Sequence, residues 1–139
     1  MPVAYTLTMD RAAAQAVAMD TALVLVTDVT RRTLNRAIVL TPVRTGNLRA
    51  QNNMRVLKTR TTVTGEVFND TAYALAVHNG NKAYTIRPRH KKALRWTSRS
   101  GEIVYAKSAR RKARRGRPWL LRALQEIAGP AGFALSKTA

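Results

Sequence analysis

The sequence predicts an α+β fold: a long N-terminal helix, a small mostly antiparallel sheet and a C-terminal helix. Three observations carry this reading. An alanine-rich segment from Asp10 to Leu40 holds apolar residues at helical spacing and stops before Pro42. Thr61 to Asn69 alternates and is rich in Thr and Val, as strands are. Pro118 opens a segment whose Trp119, Leu120, Ala123, Leu124 and Ile127 share one helical face. With 139 residues and a mass of 15.4 kDa the chain is sized for a single domain. Apolar residues make up 45% and aromatic ones 6%, so the core is expected to be mostly Ala, Val and Leu.

Taken in order, Val3, Tyr5 and Leu7 suggest a short extended start. Asp10 suits the N-cap of the first helix. Its apolar stripe is Met19, Leu23, Val26, Leu34 and Ile38, with Thr30 filling the gap. Asp28 and Arg32 stand at i,i+4 in the favourable order. Pro42 ends the helix, because the residue before a proline avoids helical geometry. Thr41 to Gly46 is a turn, and Leu48 to Leu57 is ambiguous, with Met54, Val56 and the run to Lys58 favouring a strand. A hairpin turn near Lys58 to Arg60 leads into the strand Thr61 to Asn69. Thr71 to His78 fits one or two helical turns stopped by Asn79-Gly80. Tyr84 to Arg87 is a short strand, and Ala93 to Thr97 and Glu102 to Ala106 pair across a Ser-Arg-Ser-Gly turn. Lys107 to Arg117 lacks apolar periodicity and is expected to be a mobile basic loop. After the last helix, the small and polar tail from Ala131 is expected to fray.

The formal net charge is +18, which calls for a polyanionic neighbour such as nucleic acid, an acidic membrane or an acidic protein. Between Thr71 and Gln125 the only acid is Glu102. The absence of cysteine excludes disulfides and thiolate metal sites. MPVAYTLTMD has no secretory pattern, and Thr21 to Thr27 is too short to span a bilayer, so a soluble chain with no membrane partner is expected.

Catalytic chemistry has little to work with, so no enzyme activity, cofactor or metal is expected. Asp10, Asp20 and Asp28 read as cap and surface residues. Glu66 and Asp70 lack a third ligand at sensible spacing. His78 is expected to pack or cap and His90 to be solvated. Thr41 to Gly46 lacks the second glycine and the lysine of a phosphate-binding loop. It reads as turn chemistry from which Arg44 and Arg49 project. Lys107, Arg110, Arg111, Lys112, Arg114, Arg115 and Arg117 could neutralise phosphates or dock on an acidic neighbouring subunit, and both readings stay open. Trp96 and Trp119 are either interface anchors or core residues.

Thr41-Pro-Val-Arg-Thr-Gly-Asn-Leu-Arg49 resembles a hallmark of the tail-component family of siphophages, the lambdoid minor tail protein Z and its relatives, also called neck or tail-completion proteins. The matching residues are Pro42, Thr45, Gly46, Leu48 and Arg49. Tyr73-Ala74 and the following Gly80 resemble a second family segment, with His78-Asn79 where an acid is common. Pro118, Trp119, Leu120, Ala123 and Leu124 resemble the family's C-terminal Pro-Phe-Leu-x-x-Ala-Leu. Ile86-Arg-Pro through Ala93-Leu-Arg-Trp96 also looks like members from actinobacterial phages. Where relatives carry a His-Pro-Gly-like turn, this chain has Ala109 to Arg115.

The resemblance implies an α+β virion protein of a long-tailed double-stranded DNA bacteriophage. It would be made in the host cytoplasm and built into the head–tail junction as a homo-oligomeric ring, with six subunits the family-based expectation. Its implied neighbours are the head connector or stopper, the tail terminator or tail tube, and the genomic DNA in the channel. A tail terminator is the nearest alternative, and a free basic DNA-binding protein is the alternative of another class.

Overall fold

A computed structural model describes residues 2–8 and 19–137. Its helices are α1 (Met19–Leu40), α2 (Asn47–Ala50), α3 (Ala74–Asn79) and α4 (Trp119–Ile127). A four-stranded antiparallel sheet combines β1 (Val3–Thr8), β2 (Asn52–Lys58), β3 (Val63–Asn69) and β10 (Ala134–Lys137) in the order β10-β1-β3-β2. The α+β architecture is therefore the one the sequence suggests. The expected Asp10 cap and first turns of the N-terminal helix lie outside the described residues.

Alternation sets the faces of the sheet. Val3, Tyr5 and Leu7 of β1 and Val63 and Val67 of β3 point into the core. Against them lie α1 and α4, which also pack on each other. Trp119, Leu120, Ala123 and Leu124 of α4 are all buried, and the two leucines alone contribute about 1.5–3 kcal/mol each.

The buried stripe of α1 keeps Val26 and Thr30 of the expected stripe but is otherwise shifted toward smaller residues. Ala22, Val26, Val29, Thr30, Thr33 and Ala37 face inward, while Met19, Leu23, Leu34 and Ile38 are half-buried at the rim. The reason is close approach at Gly65 on β3. A Cβ there would fall inside contact distance of Thr30 Oγ1 and only 3.2 Å from Val26 Cγ1. Small and β-branched residues fit such a crossing and leucines do not. Thr30 and Thr33 satisfy their buried hydroxyls by donating to Val26 O at 2.6 Å and Val29 O at 2.8 Å.

Two further expectations are corrected. Leu48 belongs to the short α2 and not to a strand, and β2 begins only at Asn52. The tail from Ala131 does not simply fray: Ala134 to Lys137 pair with Thr8 to Tyr5 of β1, and Phe133 and Leu135 pack on the core. Backbone pairing with an open sheet edge orders this segment despite its polar composition.

From α3 the chain runs out and back as one antiparallel arm. Its strands are β4 (Gly80–Asn81), β5 (Tyr84–Ile86), β6 (Leu94–Thr97), β7 (Ile103–Ala106), β8 (Ala109–Arg111) and β9 (Arg114–Arg115). β4 pairs with β9, β5 with β8 and β6 with β7. The segment read as a basic loop is thus largely the return limb of a ribbon. Arg-rich strands show no apolar alternation, so only their backbone pairing reveals them. The arm has no core of its own: no residue from Asn79 to Pro118 is buried.

Candidate functional site: the junction and the cationic arm

Where α1 ends, Thr41 donates its hydroxyl to Ala37 O at 2.6 Å. Pro42 follows, and a positive φ of 85° at Gly46 turns the chain into α2. Leu48 drops from this turn into the core. Beneath the turn lies a buried polar network. Asn52 donates through Nδ2 to Thr41 Oγ1 at 2.7 Å. Its Oδ1 accepts from Asn69 Nδ2 at 3.0 Å and from the Trp119 indole N–H at 3.2 Å. Asn69 also donates to Leu48 O at 2.7 Å. These bonds join the helix end, the edge strand β2, its neighbour β3 and α4 at one point, and a network so fully satisfied specifies a single arrangement. Asn47 donates to the Tyr73 hydroxyl at 3.1 Å, tying the segment before α3 to the same turn.

The structure therefore brings the three sequence segments together. Leu48, Ala74, Trp119, Leu120, Ala123 and Leu124 share one core. Pro42 and Pro118 are half-buried above it, whereas Thr45, Arg44 and Arg49 are exposed and Tyr73 is 45% exposed. Asn52 and Asn69 were not singled out from the sequence. Asparagines beside strand ends look like turn residues, and only the fold shows them buried.

His78 packs between Tyr5 and Trp119, with ring centroids 5.2 and 5.1 Å away. Its Nδ1 lies 2.8 Å from Asn79 Oδ1, and its buried Nε2 has no partner. Burial holds its pKa below the ordinary histidine value, the Asn79 hydrogen bond opposes that, and the charge of Lys137 adds to it. Burial likewise raises the Tyr5 phenol above its ordinary value. His78 packs, in keeping with its sequence reading, and His90 is exposed on the arm.

The arm springs from this junction. Gly80 has φ 78°, and a Cβ there would collide with the backbone of Arg114 and Gly116. Arg117 N donates to Val77 O at 2.9 Å, closing the root. Beside the root is an open groove of about 1090 Å³. Arg115, Arg117, Arg122 and Lys137 line it together with Pro42 and Trp119, and among the described residues no carboxylate does.

Between Gly80 and Arg117 the sequence places 14 basic residues and one acid. All of the arm's candidates, Lys107, Arg110, Arg111, Lys112, Arg114, Arg115 and Arg117, are exposed. No arm cation joins an ion pair among the described residues. The ion pairs found there are Arg32–Asp28, Arg36–Glu126, Arg55–Glu66 and Lys58–Asp20, all on the body. The Arg36 hydrogen bond also holds the Glu126 carboxyl below its usual range. The arm exposes apolar surface too: Tyr84, Trp96, Ile103 and Tyr105. The two tryptophans thus divide, Trp119 into the core and Trp96 onto the arm.

Among the described residues no group of three His, Asp or Glu side chains could hold a metal, and no helix is long and apolar enough to cross a membrane. Comparison with protein-family models, curated proteins and solved structures finds no match to this chain.

Proposed function

We propose that this chain is a structural subunit of the neck of a long-tailed DNA bacteriophage, acting by assembly. Subunits form a ring, six being the family-based number, between the head connector and the tail tube. The observation that carries this reading is the coreless arm. A two-stranded ribbon is marginal alone in water, and this one leaves Trp96, Ile103 and Tyr105 exposed near its tip. Trp, Tyr and Arg are the residue types that anchor protein interfaces. Such an arm gains order by docking on a neighbour, and a ring supplies an identical neighbour at every position. The meeting of Pro42–Arg49, Tyr73–Gly80 and Pro118–Leu124 at one junction also supports the reading, because the segments that resemble the neck family then share one structural task.

Antibody-gold labelling of purified particles tests the proposal. Label at the head–tail junction is expected; unlabelled particles with the protein left in the soluble lysate would refute it. The layer within the neck follows from a null mutant. Normal-length tails that fail to stay on heads mark a completion protein, whereas over-long tails mark a terminator. A free DNA-binding protein is the second reading, favoured by the arm's charge, and it is the one that protein in the lysate would support.

A further inference from the structure

We infer that the shaft of the arm, β4–β5 with β8–β9, binds the phosphate backbone of duplex DNA, leaving the apolar tip for protein contact. This deepens the neck reading and partly rests on it, since it gives the shaft a partner inside the assembly.

The charge argument comes first. A ribbon with 14 basic residues and one acid needs a dense polyanion, and the chain itself offers none. Among the described residues outside the arm, Asp20, Asp28, Glu66 and Glu126 are each already engaged by a body Lys or Arg. The sequence then leaves only Asp10, Asp70 and the arm's own Glu102 against fourteen cations, so a second copy cannot neutralise the arm. Duplex DNA carries one charge per roughly 1.7 Å of axis, a density matched to a strand whose side chains step about 3.3 Å apart.

Shape agrees with charge. Each strand pair of the shaft is two-stranded, with no third strand on either edge among the described residues. Arg111 pairs with Tyr84 and Arg110 with Thr85, so neighbouring arginines point to opposite faces. Arg114, opposite Asn81, continues the line toward the root. Cations on both faces suit a groove with phosphates on both walls, and the major groove, about 12 Å wide, admits a two-stranded ribbon. A single acidic protein surface would engage one face and leave the other unpaired. Phosphate contacts carry no sequence information, so the binding is sequence-independent.

The test measures affinity of the purified full chain for a short mixed-sequence DNA duplex across a salt series, because any protein this basic binds DNA at low salt. The arm variant is R110Q/R111Q/R114Q, and the control R31Q/R32Q/R60Q removes equal charge from exposed body positions. Three lost phosphate contacts should flatten the slope of log K against log salt by about 2.7, which at about 0.15 M salt is a loss of roughly 100-fold. The body variant should lose only a few-fold. Circular dichroism melts establish that both variants fold. Equal losses in the two variants would mean diffuse charge and overturn the inference. Failure of the wild-type chain to bind at about 0.15 M salt would overturn it too, and would make the shaft's partner an acidic protein. Neither result bears on where the protein sits in the particle, which gold labelling reads separately.

Discussion

Asn52 is the residue through which the body should be most easily broken. Replacing it with leucine keeps its branched heavy-atom outline and removes its amide. Trp119 Nε1, 3.2 Å from Asn52 Oδ1, then loses its partner inside the core. Asn69 keeps its bond to Leu48 O but loses the one to Asn52. The Thr41 hydroxyl still donates to Ala37 O and loses only a donor to itself. Two orphaned buried donors at about 1–3 kcal/mol each put the cost of Asn52→Leu at about 2–6 kcal/mol. For a chain of this size that lowers Tm by on the order of 10 °C. Urea unfolding followed by circular dichroism gives the number, and a double-mutant cycle with Trp119→Phe assigns it. Phenylalanine has no N–H to orphan, so in that background Asn52→Leu should cost about 1–2 kcal/mol less. Costs in the two backgrounds that agree within about 0.5 kcal/mol would refute the indole–amide bond as the link between α4 and the sheet.

Three other perturbations follow from the same geometry. Gly65→Ala should destabilise by about 2–3 kcal/mol through overpacking against Thr30 and Val26, and Thr30→Ala in the same chain should recover part of the loss; thermal melts of the single and double variants decide it. His78 binds its proton less readily folded than unfolded, so its contribution to stability is present above the ordinary value of 6.5 and is lost as pH falls toward the depressed folded value. Denaturant midpoints should therefore decline below pH 6.5, and His78→Gln should flatten that decline; an unchanged slope would place the titration elsewhere. Excising residues 81–114 and joining Gly80 to Arg115 through an Asn-Gly turn should leave Tm within about 3 °C, because the two residues are cross-strand partners and no residue of the arm is buried. A large drop measured by calorimetry would show that the arm supports the body.

The body was legible wherever local chemistry dictates local structure. Val3 to Leu7, Thr61 to Asn69 and the face from Trp119 to Ile127 all form the elements their periodicity suggests. The failures share one cause, which is pairing between residues distant in the chain. Gly65 sits opposite Thr30, so the inward face of α1 is decided by a strand more than thirty positions away. Thr30 is buried as its place in the stripe suggests, but Thr33 and Ala37 are buried while Leu34 and Ile38 stay at the rim, and the apolar spacing alone does not show that shift. β10 is ordered by β1 at the other end of the chain, and β9 by β4 across the whole arm. Asn52 and Asn69 carry the same lesson for the junction, since their partners come from Thr41 just past α1, from α2 and from α4.

The separation of body and arm has a consequence for how the molecule would work. The junction lies in the body, where Leu48, Ala74 and Trp119 are buried, while most of the excess charge lies on the arm, where nothing is buried. Packing constrains the first set tightly, because a lost methylene or amide there costs kilocalories. It barely constrains the second, so arm residues can change with the partner while the body stays intact. Gly80 marks the boundary: a side chain there would push against the returning limb at Arg114 and Gly116. Gly80→Ala should therefore leave the body folded and misdirect the arm. Protease cleavage within 82–113 should accelerate several-fold with little change in the global melt, and equal protection of variant and wild type would remove Gly80 as the hinge between the two parts.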